Sequence, residues 1–94
     1  MRWARIPEAE LHFRGWDDEC AVFNSGTGHT HLLNSVAVSI LQRVLAAPCS
    51  SQDVVSDTAA KFGLEENDEL VDTVGQTLCK LQQLDLIESQ PDQR

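Results

Sequence analysis

His29 and His31 stand two apart in a stretch with strand character, so both imidazoles fall on one face and could chelate a metal ion. Cys20, in the preceding apolar run, could add a third ligand, but no sequence-local carboxylate completes a set of three or four. The expectation is no metal and no cofactor, with the two histidines half-exposed beside a ligand groove. Gly26-Thr27-Gly28 is too short to cradle a phosphate: it lacks the GxxxxGK[ST] spacing and no helix opens directly after it. Glu65, Glu66, Asp68 and Glu69 supply carboxylates in number but match no EF-hand spacing, and negative charge at a helix N-terminus explains them. No serine or cysteine carries the local signature of an activated nucleophile with its base. The chain is expected not to be an enzyme.

Composition narrows the partners. The 94 residues form one expected domain, 1–94, with a core over about 10–88, and carry a formal net charge of −8. Four basic residues meet five acidic ones up to Val44, whereas three meet ten from Leu45 onward. Such a field repels nucleic acid, which is bound chiefly through clustered Lys and Arg, and suits a basic peptide or protein better. No apolar run is long enough to span a bilayer, and Met1 to Pro7 lacks the apolar stretch of a signal peptide. Cys20, Cys49 and Cys79 are odd in number and form no CxxC pair. A cytoplasmic location with all thiols reduced is the expectation.

The elements that must position these residues read as strands first and helices after. Leu11 and Phe13 alternate with His12, Gly15 to Asp18 supplies turn chemistry, and Cys20 to Phe23 is a second apolar run. Asn24 to Gly28 predicts a hairpin loop leading to a third strand, His29 to Leu33. Asn34 can cap a helix carrying Val36, Ala37, Ile40, Leu41, Val44 and Leu45, ended by Pro48. Ser50 with Asp53 predicts a capping box for a second helix with Val54, Val55, Thr58, Ala59 and Phe62 on one side, stopped by Gly63. Leu70, Val74, Leu78 and Leu81 then recur at spacings of 4, 4 and 3, an amphipathic third helix. Leu86 and Ile87 are expected to return to the core, and Gln90 to Arg94 to fray. The fold class is α+β: a small three-stranded antiparallel sheet followed by three helices, similar to a winged helix-turn-helix. The third helix of that arrangement would read DNA, but here Glu65 to Asp85 holds six acids against Lys80 alone.

A peptide-binding mode remains. The third strand, His29, Thr30, His31, Leu32 and Leu33, has neither the lysine nor the proline that blunts an edge, and an extended peptide could add to it with Val71, Val74 and Leu78 as a wall. The alternative is a covered edge, with those three residues serving only the core.

The run Trp16-Asp17-Asp18-Glu19-Cys20-Ala21-Val22-Phe23-Asn24 and its continuation Ser25-Gly26-Thr27-Gly28-His29-Thr30-His31-Leu32-Leu33-Asn34 resemble the opening of PqqD-like peptide chaperones. Ala37 with Ile40-Leu41, and Leu78, Leu81, Leu84 and Asp85-Leu86-Ile87, extend the resemblance over about Arg14 to Glu88. The opening and hairpin look most like the branch of the HPr-kinase-related (HPr-rel-A) system. One departure is Asp85, where many such sequences have Gly. The resemblance implies a recognition element for ribosomally made, modified peptides, which holds a precursor's leader against the third strand beside the third helix and presents it to a modifying enzyme. It implies peptide contacts at His29 to Leu33 and, from helix order, at Val71, Val74 and Leu78. The competing expectation is an accessory subunit that docks on an HPr-kinase-like enzyme without a peptide. An exposed edge could also pair with its twin in a homodimer.

Overall fold

Two antiparallel sheets and three helices share one core in the computed structural model, which describes residues 2–7, 10–16 and 19–90. The elements run β1 (Arg2–Arg5), β2 (Leu11–Trp16), β3 (Glu19–Asn24), β4 (His29–Asn34), α1 (Ser35–Ala46), α2 (Ser51–Phe62), α3 (Asp68–Gln83) and β5 (Ile87–Gln90). The α+β class holds, with β2-β3-β4 forming the expected three-stranded meander ahead of the helices. The third strand of the sequence reading is β4.

The second sheet was not legible in the sequence. β1 pairs with β5 in a two-stranded antiparallel ribbon, with Arg2 opposite Gln90 and Arg5 opposite Ile87. The core therefore starts at Trp3 rather than near Glu10, and Gln90 is paired rather than frayed; 91–94 lie outside the described residues. Trp3 anchors this end: its backbone exchanges hydrogen bonds with Cys49 at 2.7 and 3.0 Å, and its Nε1–H donates to Ser51 Oγ at 3.2 Å. A buried indole needs such a partner for its one donor. Gly15 and Trp16 belong to β2 rather than to a turn, and Asp17 and Asp18 lie outside the described residues.

Each helix begins as its capping residues dictate. Asn34 Oδ1 accepts from the Ala37 N–H, and Asn67 Oδ1 from the Leu70 N–H. Ser50 and Asp53 form the reciprocal capping box, and these hydrogen bonds from Ser50 hold the Asp53 carboxyl below its ordinary pKa. Gly63, at φ 65°, ends α2 in the left-handed conformation that glycine adopts without strain. Ile40, Leu41, Val44, Val54, Val55, Val74, Leu78, Leu81, Leu86 and Ile87 fill the centre. Burial also pushes the Cys49 thiol pKa up, as expected for an inert core thiol. Phe62, expected inward, is 36% exposed at the end of α2, with the Lys61 ammonium 5.9 Å from its ring centroid. No described helix is long and apolar enough to cross a membrane.

Candidate peptide groove at the β4 edge

β4 pairs with β3 and with no other described strand. Which of its backbone groups face outward follows from one hydrogen bond on the opposite side of the sheet. The Ser25 N–H donates to the Glu10 carbonyl at 3.0 Å, in the register that sets Leu11 opposite Asn24. Glu10 and Ser25 are thus a hydrogen-bonded pair, and the alternation of an antiparallel ladder turns odd-numbered β3 residues toward β2 and even-numbered ones toward β4. Accordingly, the Asn24 carbonyl accepts from Gly28 N–H at 2.8 Å on the β4 side. Cys20, Val22 and Asn24 stand opposite Leu33, His31 and His29, so those β4 residues turn their backbone groups toward β3, with the His29 N–H given to Thr27 Oγ1 at 3.2 Å within the hairpin. Thr30 and Leu32 turn their N–H and C=O groups to the open edge.

The side chains alternate in the same way. Leu33 is buried and His31 half-buried on the core side, whereas Thr30 and Leu32 are exposed, Leu32 at 60%. The His29 and His31 rings meet edge-on with centroids 6.2 Å apart, and no His, Cys, Asp or Glu group of three converges among the described residues. His31 Nε2 is buried without a hydrogen-bond partner.

A groove of about 340 Å³ runs beside this strand, lined by Leu32, Leu33, Asn34 and Ala37 on one side and by Thr73, Thr77, Lys80 and Leu81 of α3 on the other. The expected helix wall of Val71, Val74 and Leu78 needs correction. Val74 and Leu78 have no exposed surface and serve the core, whereas Val71, 46% exposed, lines a separate shallow surface with Gly75 and Cys79. The physical reason is the helical period. Leu70, Val74, Leu78 and Leu81 form the inward stripe, and the groove takes the neighbouring stripe of Thr73, Thr77 and Lys80, one residue earlier in each turn. That stripe is polar, so an apolar pattern could not reveal it. Thr77 spends its hydroxyl on the Thr73 carbonyl at 2.8 Å.

The chain matches the family described as Coenzyme PQQ synthesis protein D (PqqD) over residues 19–87. It belongs to the PqqD family. The matched span starts with β3 and ends on the first residue of β5, so it contains β4, the groove and all three helices, and leaves β1 and β2 outside. Among solved structures, the chain is similar to TbiB1 in complex with the TbiA(beta) leader peptide: the TM-score is 0.67 at 18% identity, covering 87% of this chain and 93% of that one. At that identity the likeness concerns the fold. No curated protein matches the chain.

Proposed function

We propose that this PqqD-family chain is a non-catalytic peptide chaperone that receives the leader segment of a ribosomally made precursor as a fourth strand on β4 and presents it to a modifying enzyme. The observation that carries this reading is the open edge at Thr30 and Leu32, facing a groove walled by α3. Main-chain hydrogen bonds would supply affinity there and the groove side chains selectivity. Leader-peptide binding by the similarly folded TbiB1 supports the same reading. Its partner is proposed to be a kinase-like enzyme of the HPr-kinase-related system, met in the cytoplasm.

Isotope-labelled protein mixed with the precursor peptide encoded beside it tests the proposal. Amide shifts confined to β4 and the groove face of α3 are the expected outcome, and an unchanged spectrum sinks it. A stable complex with the kinase-like enzyme that forms equally without peptide, with β4 unperturbed, would favour the accessory-subunit reading. Sedimentation of the chain alone separates both from self-pairing of two β4 edges.

A further inference from the structure

The groove beside β4 does not end at Asn34. Val36 and Thr73 line it and also line a second cavity of about 290 Å³ at the start of α3, together with Leu64, Glu65, Glu69 and Leu70. The two cavities adjoin across Val36 and Thr73, and together they make a channel-like track with opposite charge at its far ends. Lys80 stands at one end and Glu65 with Glu69 at the other, and none of the three is ion-paired among the described residues. Glu66 is otherwise engaged, accepting from Gln52 Nε2 at 3.3 Å and Ser56 Oγ at 3.2 Å, which fastens the acidic loop to α2.

The direction of the channel is defined by contacts at both ends. Asp85, just beyond α3, is bonded to Asn24, which stands opposite His29 at the start of β4, while Thr73 borders the same cavities as Val36, just past the end of β4. α3 and β4 therefore run antiparallel, and a strand added antiparallel to β4 would run parallel to α3. Antiparallel addition continues the existing sheet and is the slightly more stable pairing per residue.

We infer that this channel selects, within an extended peptide, a basic residue followed by an acidic one, with apolar side chains between them. The inference rests on the strand-addition reading. The basic residue meets Glu65 and Glu69 at the peptide's N-terminal side, and the acidic residue meets Lys80 toward its C-terminal side. Glu69 and Lys80 are eleven positions apart on α3, a rise of about 16 Å, which about five residues of extended peptide span. Between them Val36 and Ala37, both half-buried, offer apolar surface to the side chains that face inward.

The test is a display selection of random twelve-residue segments on the full chain, with recovered segments synthesised and their binding confirmed by β4 amide shifts. Enrichment of Lys or Arg followed about five positions later by Asp or Glu is expected. Affinity for such a segment should fall about threefold in Lys80→Gln and about fivefold in the double variant Glu65→Gln/Glu69→Gln, with both effects fading at high salt. Segments that shift β4 amides without this charge order, in the reverse order, or with affinity indifferent to both variants overturn the inference and leave strand addition standing. Failure to recover any segment that shifts β4 amides overturns both.

Discussion

Asn24, at the end of β3, donates its side-chain amide to the carbonyl of Asp85, just beyond α3, at 3.3 Å across 61 residues of sequence. The Asn24 Oδ1 accepts from Gly26 N–H at 2.9 Å, so this one buried side chain shapes the hairpin and ties it to the end of α3. The tie joins the β3–β4 hairpin to the residue just beyond α3, and these are the two elements that border the groove. Asn24→Ala should cost about 1–3 kcal/mol, the range for a lost buried hydrogen-bonding group. It should also speed amide exchange at His29 to Leu33. Denaturant melts and hydrogen exchange check this, and unaltered exchange in β4 would show that the groove does not depend on the tie.

Asp85 itself holds φ at 60°, the left-handed region that favours glycine. Leu86 N–H bonds to Leu81 C=O and Asp85 N–H to Gln82 C=O, each at 3.0 Å, the Schellman pattern, and Leu81 and Leu86 are both buried beneath it. The chain thus closes α3 in the conformation glycine would take, with a residue that pays strain to do so. Asp85→Gly should raise stability by about 0.5–1 kcal/mol, a rise in melting temperature of a few degrees. A lower melting temperature would show that the Asp85 side chain contributes more than its backbone conformation costs.

Thr30 points its N–H away from β3, so Thr30→Pro removes a donor from the open edge while leaving the β3–β4 ladder its own bonds. Peptide affinity should fall about tenfold or more, with the fold retained. Titration calorimetry beside far-ultraviolet circular dichroism checks both parts. Retained affinity in the folded variant would place the peptide elsewhere.

Leu78 and Thr77 are neighbours on α3 with opposite duties. Leu78→Ala should cost about 2–5 kcal/mol, as large-to-small changes in a filled core do, with little effect on binding once the protein is folded. Thr77→Arg, in the groove wall, should leave stability within about 0.5 kcal/mol and obstruct the peptide. Measuring unfolding midpoints and affinities for both variants separates core from wall, and the opposite assignment would restore Leu78 to the site.

The Asp53 carboxylate, held below its ordinary pKa by the capping box, gives a pH signature. A depressed folded-state pKa makes its stabilising contribution complete above the unfolded value and lost as the pH falls through the folded one. Asp53→Asn should therefore be less stable than the parent at pH 7, with the two denaturation curves converging as the pH falls below the ordinary aspartate range. A difference independent of pH would assign the effect to something other than the carboxylate's charge.

The sequence by itself determined the elements whose signals are local. Asn34, Ser50 with Asp53, and Gly63 mark helix ends because caps act within three or four residues, and the 4, 4, 3 spacing from Leu70 to Leu81 marks the inward stripe of α3. The strand from His29 to Leu33 was legible for the same reason. Its open edge was not, because edges are made by what a strand lacks as a neighbour. Tertiary structure alone decided the β1–β5 ribbon, since strands of four residues carry little periodicity and Trp3 finds Cys49 and Ser51 some 46 and 48 positions away. It also moved the groove wall from Val74 and Leu78 to Thr73, Thr77 and Lys80. Hydrophobic spacing identifies which face of a helix is buried, and a binding wall lies at the margin of that face, where only the packing of α3 against β4 and α1 determines which polar residues border the opening.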